Sequence, residues 1–189
     1  MTKQFMIHIS KYKNTYKPKD TFIGTISKEI VTSRTEATVE EFMAFVEEGR
    51  TICPGIVLEG TTRTDKNIES VQVVMLDYDD GITLEEALNN PFVKEYAAFI
   101  YPTFSHKDSA PRLRIVFILE RPLSLETAEA TRKAYKVLYK DLSDKIGVAP
   151  DATNATPTKM IYDTNKKCIS INLDNRLPYD ESWETNSIN

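Results

Sequence analysis

The chain has 189 residues, 41% of them hydrophobic and 28% charged, with a formal net charge of −4. That length and apolar content suffice for one sizeable core, and the weak negative charge excludes a global attraction to a polyanion, so a nucleic-acid partner would need a local basic surface. The cysteines, Cys53 and Cys168, stand far apart without CxxC spacing, so neither a zinc site nor a disulfide framework is indicated, and two buried fillers in a reducing cytosol are expected.

In chain order, Phe5–Ser10 reads as a strand and is followed by the most basic window, in which Lys11, Lys13, Lys17 and Lys19 are interleaved with Tyr12 and Tyr16. Such a window is either a solvated loop or a track for a nucleic-acid backbone with aromatic stacking. Residues 38–49 predict a helix with a capping box from Thr38 to Glu41 and an apolar side made of Phe42, Phe45 and Val46. "GIVLEG" and "SVQVVMLDYDD" read as strands around a polar loop that carries Arg63 and Lys66, and "TLEEALNN" as a short helix closed by Pro91. "YAAFIYPTF" and "RLRIVFIL" are strand-like runs joined by "SHKDSAP". The longest helical pattern covers 124–147, with Ser124 as N-cap, a stripe of Ala128, Tyr135, Leu138 and Leu142, and Gly147 as terminator. "KCISINL" predicts a late strand. The last dozen residues are polar and acidic without periodicity and read as a tail or linker. Interleaved strands and helices predict an α/β or α+β class with at least one mixed sheet. No run approaches the ~18 apolar residues of a membrane span, and the N-terminus lacks a signal-peptide core, so a cytoplasmic protein without a membrane partner is expected.

The chemistry concentrates in "VVMLDYDDG", residues 73–81. Asp77 and Asp79 project from one face of a strand with Cα atoms roughly 6.5 to 7 Å apart, a spacing that lets both carboxylates bind one divalent cation or bridge two. Asp80 and Gly81 form a turn dipeptide. Carboxylates so close need a nearby positive charge, although acidic residues also occur where a strand simply meets a turn. Downstream, Ser105, His106 and Lys107 sit at a strand-to-loop junction, and Arg112 and Arg114 share one strand face. These guanidinium groups suit phosphate oxygens or ion pairs with the aspartates themselves. Either role places them near the acidic cluster. Asp151, after Pro150, is a third carboxylate or a turn residue, and Lys159 a phosphate ligand or a surface lysine.

In this order "MLDYDD", "PTFSHKDSAPRLRIVF" and "VAPDATNATPTKMIY" resemble the three motifs of the archaeo-eukaryotic primase superfamily, in particular the primase-polymerase domains of plasmids, phages and other mobile elements. The likeness covers roughly residues 55–165, and the combination carries it more than any single motif. The resemblance implies an α+β, two-lobed catalytic unit over 1–178, with an RRM-like sheet beside an N-terminal α/β module. Residues 179–189 would be a tail or a linker to a further region such as a helicase. It implies two Mg²⁺ or Mn²⁺ ions held by Asp77, Asp79 and Asp151, and a nucleoside triphosphate gripped by Ser105, His106, Lys107, Arg112 and Arg114, with Lys159 in support. A single-stranded or primed DNA template would run along Lys11, Lys13, Lys17, Lys19, Arg63 and Lys66. Two other readings stay open: a metal-dependent replication nuclease, poorly matched to paired-histidine chemistry because His8 and His106 are the only histidines, and a non-catalytic RRM-like binding module.

Overall fold

The computed structural model describes residues 3–162 and 165–188. Apolar alternation along the chain is spent on two sheets. A four-stranded sheet has the order β2 (Arg34–Ala37), β1 (Phe5–Lys13), β3 (Arg50–Cys53), β8 (Ile161–Tyr162). A five-stranded sheet has the order β4 (Gly55–Val57), β5 (Ile68–Tyr78), β7 (Leu113–Leu123), β6 (Phe99–Pro102), β9 (Ile169–Ser170). Among the described residues every pair of named strands is antiparallel, in contrast to the expected mixed sheet, with one isolated parallel bridge between Leu119 and Leu177, and the class is α+β.

The five-stranded sheet is buried on both faces, which is why β5 and β7 read as nearly continuous apolar runs. One face, with Val74, Leu76, Tyr78, Ile115 and Phe117, packs on Tyr135, Leu138 and Leu142 of α5 (Ala128–Ile146). The other face, with Val73, Met75, Phe99, Val116 and Ile118, meets Phe5, Ile7 and Ile52 of the four-stranded sheet and Phe42 of α2 (Val39–Glu47). The chain passes between the sheets from β3 through Pro54 into β4, and proline supplies no N–H for a ladder at that crossing. His8 fastens the junction. Its Nε2 accepts the Val57 N–H at 3.2 Å, and burial, reinforced by the Arg34 charge, pushes its pKa down to about 4. A Cβ at Gly55 would stand 2.7 Å from the Pro157 carbonyl oxygen, so only glycine lets β4 approach the segment after α5 so closely.

The capping box of α2 forms as predicted, with Thr38 and Glu41 bonding reciprocally. Elsewhere the helices depart from expectation for local reasons. Pro91 does close α3 (Leu84–Asn89), but it also opens α4 (Pro91–Tyr96) at a first-turn position where its missing N–H costs nothing, with Asn90 as the cap. The N-cap of α5 is Thr127 rather than Ser124: Thr127 accepts the Ala130 N–H, while the Ser124 hydroxyl is engaged by the Glu69 carbonyl. Gly147 ends α5 in the left-handed region at φ 84°. The sequence signals did not single out α1 (Asp20–Ile30), whose Ile26 and Ile30 are buried against Cys53 and Met160. Cys168 is half-buried beside α2 and Cys53 fully buried. The late strand shrinks to the two residues of β9. The C-terminal stretch, aperiodic in sequence, docks on α5 through α6 (Ser182–Thr185): Trp183 is 1% exposed and its indole N–H donates to Asp141 at 3.0 Å.

Candidate active site

Register builds the site. In the antiparallel ladder of β5 and β7, Met75 faces Val116 and Asp77 faces Arg114, and on the far side of β7 Arg114 faces Tyr101 of β6. One step further, the Arg112 guanidinium lies 3.2 Å from Asp79, while Thr103 N–H donates to the Arg112 carbonyl at 3.0 Å. The face that carries apolar rows in the middle of the sheet therefore ends in two charged rows, Asp77–Arg114–Tyr101 and Asp79–Arg112–Thr103. The positive charge required beside the aspartates is present as two guanidinium groups, so of the two roles left open for the arginines, ion pairing is the one seen.

The two pairs differ in depth. Asp77 and Arg114 side chains are 14% and 11% exposed, with Arg114 Nε 3.2 Å from Asp77 Oδ1. Arg114 also donates to Asp77 Oδ2 at 3.3 Å and to the Tyr162 carbonyl at 2.9 Å. Asp79 and Arg112 are 55% and 41% exposed and make a single contact with each other.

Asp151 is drawn to this sheet edge from the segment after α5. Its N–H donates to the Asp77 carbonyl at 2.8 Å, and its carbonyl accepts the Tyr139 hydroxyl at 3.0 Å. Burial raises the pKa values of Tyr139 and of Tyr78, which donates to the Val148 carbonyl, so both remain donors. The Asp151 carboxylate caps a 3-10 turn over Ala152–Asn154 by accepting the Thr153 N–H at 2.9 Å and the Thr153 hydroxyl at 2.7 Å. Those two bonds, the backbone one first, hold its pKa below the usual carboxylate value. Lys159 donates to the same Thr153 hydroxyl at 2.7 Å. Asn154, 3% exposed, donates through Nδ2 to Asp77 Oδ2 at 3.0 Å. No feature of "PDATNATP" distinguished Asn154 in the sequence; only the folded turn aims it at Asp77.

Asp77, Asp79 and Asp151 line one cleft together with Arg112, Arg114, Lys159, Lys17, Ser105, Thr103 and Asn154. Its cavity volume of about 220 Å³ is below the ~300 Å³ at which small-molecule pockets begin, a size suited to a phosphate chain rather than a whole nucleotide. His106 and Lys107 do not line it. The His106 ring is turned back on its own loop, with Nδ1 accepting the Arg112 N–H at 3.1 Å, and Lys107 is exposed beside a bridge to Ala110.

Of the expected template residues, only Lys17 reaches the cleft. Lys11 and Lys13 lie on β1, where Lys13 pairs with Glu48 at 3.1 Å. Lys19 precedes α1, and Lys66 is exposed in a 3-10 turn. Arg63 is a strut, donating to the Ser27 hydroxyl at 3.1 Å and the Thr158 carbonyl at 2.6 Å.

Among the described residues no three His, Cys, Asp or Glu side chains converge as they stand on one point that could hold a metal ion. The donor set nevertheless suits a hard divalent cation: three carboxylates share a cleft, and the buried Asp77 Oδ1 receives no hydrogen bond of good geometry.

Residues 2–171, a span that includes the strands β1 to β9 seen among the described residues, match the VapE N-terminal domain. The chain belongs to that family. Among solved structures it is similar to the AEP domain (PP-N190) of the primase-polymerase (PrimPol) of Cyanophage S-2L, with a TM-score of 0.49 at 14% identity over 97% of this chain and 89% of that one. No significant match emerges among curated proteins. Membership of the VapE N-terminal family attaches the cleft and both sheets to one domain type, and α6 lies beyond the matched span.

Proposed function

We propose that the cleft is the active site of a divalent-metal-dependent nucleotidyltransferase, a primase or DNA polymerase of mobile-element replication that transfers nucleotides from nucleoside triphosphates to a 3′-hydroxyl on a DNA template. The observation that carries this reading is the convergence of Asp77, Asp79 and Asp151 with Arg112, Lys17 and Lys159 in one phosphate-sized cleft. The three-motif resemblance to archaeo-eukaryotic primases supports it.

Asp77, Asp79 and Asp151 would hold Mg²⁺ or Mn²⁺, and the bound ions would supply Lewis-acid activation of the hydroxyl and neutralisation of phosphate charge. The rest is done by the chain. Arg112 and Lys159 attract and orient the triphosphate, with Ser105 and Thr103 at the cleft wall as neutral donors. Arg114 and Asn154 hold Asp77 in place. Lys17 extends the positive lining toward Tyr16, which is 67% exposed and offers a ring for an unpaired base.

Primer extension with Mn²⁺, a primed template and nucleoside triphosphates tests the proposal. Asp79→Asn is expected to lower incorporation by roughly 100-fold or more, an effect of the size of losing one preorganised electrostatic group, while circular dichroism stays native. Undiminished extension by Asp79→Asn would remove Asp79 from the catalytic set.

A second reading, a non-catalytic nucleic-acid-binding module, is favoured by one observation: both aspartates are already neutralised by arginine. It predicts oligonucleotide binding without incorporation, and no rise in melting temperature with Mn²⁺ that Asp79→Asn removes.

A further inference from the structure

The matched D-x-D and R-x-R rows give two ion pairs of identical chemistry and opposite accessibility. Asp77–Arg114 is enclosed and cross-braced by Asn154 and the Tyr162 carbonyl. Asp79–Arg112 rests on one 3.2 Å contact between half-exposed side chains. Among the described residues the Asp79 carboxylate has no other partner, and the Arg112 side chain has none besides Asp79, although the Arg112 backbone is pinned on both sides by Thr103 and His106. A long flexible side chain on a fixed backbone, facing a cleft and held by one weak bond, can change partners at little cost.

We infer that Arg112 is an exchangeable counter-ion: it occupies Asp79 when no cation does, and it turns to phosphate when a divalent cation takes Asp79. The inference rests on the metal-binding reading above and adds a coupling to it. Arg112 and the cation compete for one carboxylate, so the guanidinium weakens the binding of metal alone. Metal binding in turn releases Arg112 to the phosphate chain, so each ligand favours the other through the same side chain. Arg114 takes no part. Its burial and its bonds to Asp77 and Tyr162 make it the positioning residue for the carboxylate that does not move.

The test measures Mn²⁺ binding in the absence of nucleotide, by electron paramagnetic resonance and calorimetry, on the full chain and on Arg112→Gln, Arg112→Lys and Asp79→Asn. Arg112→Gln is expected to bind Mn²⁺ roughly three- to tenfold more tightly, the range set by losing an exposed pair and a neighbouring positive charge. The same variant should bind a Mn²⁺–triphosphate more weakly relative to Mn²⁺ alone. Arg112→Lys should restore the wild-type Mn²⁺ affinity. Equal or weaker Mn²⁺ binding by Arg112→Gln, with wild type binding and Asp79→Asn not, overturns the exchange and leaves the metal site standing. Absence of saturable Mn²⁺ binding in every variant overturns the metal reading itself and the exchange with it.

Discussion

The Asp77–Arg114 and Asp79–Arg112 pairs lie two residues apart along the same two segments, the first inside β5 and β7 and the second one residue past their ends, yet one is sealed and the other is wet. What separates them is their distance from the inter-sheet core. The inner pair follows directly on Met75 and Val116, and β8 covers it through the Tyr162 carbonyl. The outer pair extends past the last residue of β5 into solvent. Identical chemistry thus acquires two physical meanings: a desolvated pair that is costly to break and slow to rearrange, and a screened pair whose net stabilisation is small. For a site that must admit a cation, the shallow pair is the mobile half and the deep pair its frame.

Substitutions can break that contrast in order of size. Arg114→Ala leaves the Asp77 carboxylate enclosed without its guanidinium, and a loss of about 3–5 kcal/mol is expected, read from the urea midpoint at unchanged slope. Asn154→Ala removes one hydrogen bond to the same carboxylate and should cost about 1–3 kcal/mol; a matching loss in the Arg114→Ala background would show that the two act independently. Arg112→Ala should change stability by less than about 1 kcal/mol, and less still at high salt. If Arg112→Ala proves as damaging as Arg114→Ala, the distinction by depth fails.

The smallest expected effect concerns acid. Thr153 lowers the folded-state pKa of Asp151 below its unfolded value, so the protein binds fewer protons folded than unfolded in that interval. The stabilisation is complete above the unfolded value near ~3.9 and disappears as pH falls through the lowered folded value. Asp151→Asn keeps an acceptor for the cap but not its charge, and should flatten that part of the stability-against-pH curve by lowering neutral stability slightly, toward the level the native chain reaches in acid.

Much of this arrangement was legible in the residues. Strand alternation alone places Asp77 with Asp79 and Arg112 with Arg114, and it limits the arginines to phosphate or aspartate partners near one another. The pairing needed one more quantity, the register of β5 against β7, which is set by a shift between Val71 and Val73 deep in the sheet. Asn154 was illegible because its role arises from a tertiary contact: the Asp151 N–H bond to the Asp77 carbonyl sets the turn beside β5, where Asn154 meets Asp77. The helix α1 was obscured by its glycine and threonines and by the basic window before it, although Phe22, Ile26 and Ile30 carry a helical spacing. Trp183 was submerged in a polar stretch whose burial depends on a partner, α5, whose Asp141 lies 42 residues earlier.

Antiparallel register has a last consequence for how this chain can change. Excising one residue between Val73 and Leu76 would swap inside for outside along the remainder of β5, steering both acids toward the helix-lined interior while their guanidine mates stayed put. Insertions at the 107–110 hairpin tip, beyond Ser105 of the cleft wall and the His106 that pins Arg112, carry no such penalty. Lineages carrying this domain are therefore expected to vary freely at that tip and to tolerate almost no indels in the two long strands behind it.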